Sequence, residues 1–194
     1  MFSSTAFLVG PRVYLRPMNE KDVEGSYIRW LNDKDICHGN SHHIFPYTRN
    51  DALDYIKNTS ESGSDLILAV VLNEGDRHIG NISLQKIHSI YRSAEFAIII
   101  GERKCWGKGL GLEAAKLIID HGFSAMNLNR IECGTFVNNI AMQKLACSLG
   151  MKEEGRRRQA VFKGGQFLDM IEYGLLRSDY ELLGDCQQSD SNMI

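Results

Sequence analysis

The residues best placed to do chemistry lie in the segment Cys105-Trp106-Gly107-Lys108-Gly109-Leu110-Gly111. Glycine at every second position lets the backbone turn tightly and brings several N–H groups towards one point. The apolar stretch Leu110 to Met126 has helical patterning and begins inside this segment. A helix N-terminus adds unpaired N–H donors and the positive end of its dipole. Together these features suit a phosphate or pyrophosphate, and Lys104 and Lys108 add positive charge nearby. No Gly-Lys-Ser/Thr closes the loop, so it is not the phosphate loop of a nucleoside triphosphatase. The alternating glycines and the mid-chain position also fit a dinucleotide-binding fingerprint poorly. Glycine-rich turns before helices are common, so the loop by itself leaves phosphate binding and a plain turn both open.

Other chemistry-bearing residues read more plainly. The cysteines are Cys37, Cys105, Cys133, Cys147 and Cys186, an odd number, widely spaced and without Cys-x-x-Cys. That pattern argues against a disulfide framework or a zinc site and fits a reducing cytosol. His42 and His43 are adjacent, and neighbouring side chains on an extended chain point apart, so no metal site is expected. Arg156-Arg157-Arg158 follows Glu153-Glu154 and reads as a solvated face rather than a nucleic-acid contact.

The elements that must position these groups follow from the change in apolar period. Val13 and Leu15 alternate with Tyr14 and Arg16 up to Pro17, a first strand. Asn19 caps a helix, with Asp22 at capping distance, that would run to Trp30 or Leu31. Residues 32–47 are rich in Asn, Asp, His and Gly and read as a loop, and Thr48 or Asn50 caps a helix through Lys57. Three strands are expected at Leu66 to Leu72, His78 to Leu84 and Ala94 to Ile100, the last buried on both faces. After the glycine loop and its helix come a strand over Arg130 to Val137 and a helix from Asn139 to the stop at Gly150. A hairpin from about Arg157 to Leu176 turns at Gly164-Gly165. The order predicts a single mixed α/β domain over 11–182 on one central sheet, with 183–194 a disordered tail.

The totals agree with one globular domain. The chain has 194 residues, 43% hydrophobic and 24% charged, with a net charge of −2. Neither a nucleic acid nor a membrane surface is called for by that balance. The apolar run Phe96 to Ile100 is far too short to span a bilayer, and the first ten residues lack a secretory signal pattern, so a cytoplasmic location is expected.

Ala94-Glu95-Phe96, then Trp106-Gly107-Lys108-Gly109-Leu110-Gly111, Glu113-Ala114, Asn139 and Leu149-Gly150-Met151 together resemble the GNAT acyltransferase superfamily. Trp106, Leu15-Arg16-Pro17, Glu154-Gly155-Arg156 and Asp169 look like the branch that includes ribosomal-protein N-terminal and spermidine acetyltransferases. The resemblance implies helices on both faces of a sheet with a V-shaped split, and acetyl-CoA as acetyl donor. The pantetheine arm would lie between Ile98-Ile99-Ile100 and the strand Arg130 to Val137. The pyrophosphate would rest on N–H groups of Trp106, Gly107, Lys108, Gly109, Leu110 and Gly111. Asn139 matches a cofactor-contacting position, and it reads equally well as a helix cap.

The implied reaction is acetylation of a primary amine by direct attack. The acceptor would be an amino-sugar nucleotide, another small amine or a protein N-terminus, and a homodimer is left open. Glu95 matches the position of a general base, against a structural reading in which it pairs with an arginine such as Arg92. Trp30 sits where family members build the acceptor pocket, and it reads equally as core. The family's usual tyrosine acid is replaced by Ala146, and the next residue, Cys147, is expected to be a packed helix cysteine rather than an acetyl carrier. That substitution keeps a non-catalytic acyl-CoA sensor in view as the rival reading.

Overall fold

The computed structural model describes residues 5–61 and 63–182. Its centre is an eight-stranded sheet in the order β1-β2-β3-β4-β5-β6-β8-β7. The strands are β1 Leu8–Val9, β2 Val13–Pro17, β3 Leu66–Leu72, β4 Arg77–His88, β5 Ser93–Ile100, β6 Arg130–Phe136, β7 Lys152–Lys163 and β8 Gln166–Leu176. Neighbours run antiparallel except β5 and β6, which are parallel. A parallel pair needs a crossover, and the helix α4, Leu110–Ser124, supplies it. The remaining helices are α1 Glu20–Val23, α2 Tyr27–Leu31, α3 Arg49–Glu61 and α5 Ile140–Ser148, with further helical residues over 177–182.

The helices cover both faces. Leu110, Ala114, Ala115, Ile118, Ile119 and Phe123 recur along one stripe of α4 and bury against Ile82, Leu84 and Phe96 of the sheet. Each large side chain among them removes enough apolar surface from water to contribute about 1.5–3 kcal/mol. On the other face Val23, Tyr27, Trp30, Leu31 and Ala52 of α1–α3 form a second, smaller cluster.

The expected elements are present, with differences in extent, among them β4, which runs on to His88, and the helical residues over 177–182, which were not expected. The first helix is two. Asn19 accepts from Lys21 N–H at 2.9 Å and Asp22 accepts from Asn19 N–H at 2.9 Å, which starts α1, and the chain then turns through Gly25 before α2. Glycine is a weak helix former, and the break lets Asp22 meet Arg16 at 2.6 Å while Trp30 buries. The last hairpin is longer than expected, beginning at Lys152, although it turns at Gly164-Gly165 as read. The short strand β1 was not foreseen, because two residues carry no readable period. The expected tail, 183–194, lies outside the described residues.

Candidate active site

The sheet divides between β5 and β6. These strands pair only at Ser93–Arg130, Ala94–Ile131 and Glu95–Glu132. Ala97 to Ile100 remain paired to β4 and have no strand on their other side. The gap therefore has one edge of free backbone, which an extended ligand can join as an added strand. Ile98 and Ile100 pack towards the α4 face and Ile99 towards the α1–α3 face. All three are half-buried, whereas Ala94 and Phe96 are buried. The expectation of burial on both faces thus fails for the last residues of β5, because the missing neighbour leaves them uncovered.

The glycine loop closes one end of this gap. Gly101 and Glu102 N–H groups both donate to Ile79 O, at 2.9 and 3.1 Å, and a helical turn follows over Arg103–Cys105. Trp106 N–H then donates to Arg103 O at 3.1 Å, and its indole Nε1 donates to Ile100 O at 2.6 Å. Both N–H groups of Trp106 are consumed within the protein, so the expected cradle loses its first member. Gly107 (φ 69°) and Gly109 (φ 75°) take the left-handed conformation that glycine adopts without strain. Gly109 caps α4, and the first-turn N–H groups of Leu110, Gly111 and Leu112 have no intrahelical acceptor. A Cβ on Gly107 would meet nothing within 4 Å, so the loop is open to a ligand there.

Arg12 holds the loop from the turn between β1 and β2. Its Nη1 donates to Lys108 O at 2.9 Å and its Nε to Glu113 Oε2 at 2.7 Å. The N–H groups of Arg12 and Val13 both donate to Glu113 Oε1. Burial pushes the Glu113 carboxyl up, but the bonds from Arg12 and Val13 outweigh it and hold the group below the usual carboxylate range.

Three carboxylates occupy the α1–α3 side of the sheet where the strands part. Glu95 and Glu132 are register partners, and a Cβ on Gly134 would lie 2.9 Å from Glu172 Oε2. Each has a cation beside it: Lys86 at 2.6 Å from Glu95, Arg130 at 2.8 Å from Glu132, Arg157 at 3.4 Å from Glu172. Arg92, the suggested partner of Glu95, instead donates to Asn127. Across the sheet, burial and then the charges of Glu172, Glu95 and Glu132 push the Cys133 thiol up to about 12. Among the described residues, the buried polar atoms without a hydrogen-bond partner are Asn73 Oδ1, Thr135 Oγ1 and Glu172 Oε1. Thr135 lies on β6, beside the gap; Glu172 lies on β8, one strand further, and its Oε1 has the Arg157 ion pair instead of a hydrogen bond. Free strand edge, open N–H groups and the orphaned Thr135 hydroxyl are the features a bound thioester with a pyrophosphate tail would use.

The other expected site residues fall differently. Trp30 is 2% exposed, packs edge-to-face on His78 with centroids 5.0 Å apart, and fills the space a Cβ on Gly101 would need. It is core, and its burial removes it from direct substrate contact. Asn139 caps α5 by accepting from Met142 N–H at 3.1 Å, and its amide donates to Gly39 O at 3.0 Å. Its side chain thus ties α5 to the 32–47 loop. Ala146 is fully buried, and Cys147 is exposed rather than packed as expected, because α5 turns that residue to solvent. Sequence reasoning missed Glu132, Glu172 and the Arg12–Glu113 clamp. Alternation along β6 and β8 was the available signal for the first two. Arg12 and Glu113 are too far apart in sequence for any local pattern.

The acetyltransferase (GNAT) domain model matches residues 12–152. The chain belongs to the GNAT acetyltransferase family. The uncharacterized N-acetyltransferase p20 of Bacillus licheniformis is 30% identical over 173 residues, covering 87% of this chain and 95% of that protein. The spermidine N(1)-acetyltransferase of Vibrio cholerae is 30% identical over 135 residues, covering 70% and 78%. Among solved structures, the Vibrio cholerae spermidine N-acetyltransferase in complex with CoA and spermine superposes with a TM-score of 0.79 at 24% identity, covering 89% and 99%. Mycobacterium smegmatis RimJ in complex with CoA-disulfide gives 0.79 at 20%, covering 90% and 89%. These two likenesses show the fold. This GNAT protein is an acetyl-CoA-dependent N-acetyltransferase that transfers the acetyl group to an amine, and the non-catalytic sensor reading is set aside.

Proposed function

We propose that the acceptor is the primary amine of a small molecule or a protein N-terminus, presented on the α1–α3 face beside Glu95. The observation that carries this reading is the position of Glu95 as the last residue of β5 paired to β6, where those strands part. The acetyl donor would lie along the free edge of Ala97 to Ile100, with its pyrophosphate on the N–H groups of Gly107 to Gly111. An amine is a nucleophile only when neutral, and one Glu95 oxygen lies against Lys86 while the other is free to take the proton directly or through water. The chain's remaining contribution is orientation of the two substrates for direct attack.

Within amines, the charge of the 32–47 loop argues for a lightly charged acceptor. Asp33 and Asp35 form the acidic pair there, and Arg103 binds both, at 2.6 and 3.0 Å. A polycation finds less to bind in a pair already neutralised. An amino-sugar nucleotide or an N-terminal peptide is therefore preferred over a polyamine. No helix among the described residues is long and apolar enough to cross a membrane, and the cytoplasm, where acetyl-CoA is available, is the proposed site of action. A homodimer remains part of the proposal, and sedimentation velocity measures it. The acceptor experiment is an incubation with acetyl-CoA and a panel of amino-sugar nucleotides, N-terminal peptides and polyamines, with release of free thiol followed. The reading predicts turnover with a member of the first two classes. Turnover restricted to polyamines overturns the preference.

A further inference from the structure

Thr135 lies on β6 three residues beyond the last pairing with β5, which is roughly 10 Å further along the gap. The side-chain alternation of a strand places it on the same face as Ile131 and Cys133. That is the face α5 covers: Cys133 Sγ contacts Met151 Sδ, and Met151 N–H donates to Ala146 O. Thr135 is 3% exposed, and its hydroxyl has no partner. Ile98, Val137 and Met142 pack against the core cluster on that face, and Ala146 belongs to it without offering a polar atom. An unpaired hydroxyl in such surroundings is destabilising. Valine has the same shape and an equal liking for strands, so the fold alone gives no reason for threonine.

We propose that the Thr135 hydroxyl is the hydrogen-bond donor for the thioester sulfur of the acetyl donor and for the thiolate that departs. The inference rests on the reading that the donor's arm lies along the free edge of β5. The amine nitrogen forms its bond to the carbonyl carbon, and the carbon–sulfur bond breaks with its electron pair passing to sulfur. The amine's proton goes to Glu95 or water, and sulfur regains a proton from solvent on release. Amine and thioester thus give amide and thiol. Thr135 gives up no proton. It supplies a fixed dipole at the atom where charge develops, in surroundings that otherwise repel charge.

The test compares the wild type, Thr135→Val and Thr135→Ser. Without ligand, Thr135→Val should melt at or above the wild-type temperature, since it removes an orphan. With CoA bound, the ultraviolet absorbance of the thiolate reports the sulfur's titration, and its midpoint should lie about one pH unit higher in Thr135→Val than in the wild type. In turnover, Thr135→Val should lower kcat by about 10- to 100-fold with KM for acetyl-CoA within about twofold, and Thr135→Ser should restore most of it. A Thr135→Val protein that fails to fold or melts lower assigns the hydroxyl a structural role and overturns the proposal. An unchanged thiol titration overturns it too. If acetyl-CoA does not raise the wild-type melting temperature, the donor-site reading itself has failed; if it does and the variants titrate alike, only Thr135 has.

Discussion

Glu95 is held by Lys86 and stands 39% exposed at the point where two strands separate. A surface ion pair of this kind contributes little to stability, about 0–1 kcal/mol. Its loss should therefore be felt in chemistry rather than in folding. Glu95→Gln should lower kcat by about 10²-fold and leave KM for acetyl-CoA within about twofold, measured by steady-state thiol release. Turnover near the wild-type level would return Glu95 to a structural role. The position of Glu95 was legible from its neighbours in sequence, and its partner was not. Arg92 is nearer along the chain, but a bulge between Gln85 and His88 shifts the hairpin register and brings Lys86 across instead. Local sequence does not encode such a bulge. Trp30 and Cys147 show the same limit, since burial depends on what a short helix or a helix face meets in space.

At the scale of elements, the glycine loop was readable because its conformation is a property of the residues in it. Gly109 sits at φ 75° as the cap of α4, and a Cβ there would come 3.4 Å from Arg12 Nη2. Gly109→Val forces a β-branched residue into the left-handed region, at a cost of at least about 1–2 kcal/mol. The variant should still fold, with a slightly lower melting temperature, because the α4 core stripe is untouched. The stabilisation that acetyl-CoA gives the wild type should disappear, as read in a thermal-shift titration. A full ligand-induced shift in the variant would remove the loop from the donor site. What the sequence left hidden at this scale is the consumption of Trp106, whose indole reaches Ile100 O across the loop. Nothing in the alternation of glycines says which N–H groups stay free.

For the molecule as a whole, the order of elements was legible from changes of apolar period, and the ion-pair network between distant segments was not. That network includes a half-buried histidine with consequences for acid stability. His78 Nε2 faces Gly80 O at 2.8 Å and Asn81 Oδ1 at 2.7 Å, and Nδ1 lies 3.4 Å from Asp22. Burial, with a smaller push from Arg16, holds its pKa below the ordinary value, although Asp22, Asn81 and the Gly80 carbonyl pull the other way. The unfolded chain therefore takes up the proton first as pH falls. Stability from this group is fully present above about pH 6.5 and is lost as pH drops towards the lower folded-state pKa. The melting temperature should fall with pH in that window, and His78→Gln should flatten the fall. Carboxylates such as Asp22, held low by Arg16 and the Asn19 N–H against the push of burial, lose their contribution only in more acidic solution. A melting temperature insensitive to His78→Gln between neutral pH and pH 5 would contradict this assignment.

The parallel pairing of Ser93 to Glu95 with Arg130 to Glu132 is the whole of the direct seam between strands β1–β5 and strands β6–β8. Beyond so short a seam, the two half-sheets are held together by one apolar cluster that takes in α4 and residues of both, Ile82 and Phe96 on one side and Ile131 and Ile171 on the other. Those amides among Ala97 to Ile100 that point into the gap should exchange with solvent far faster in the free protein than those that bond β4. An added strand of ligand would lengthen the seam from the other side, so that substrate completes the sheet and takes part in holding the two halves together.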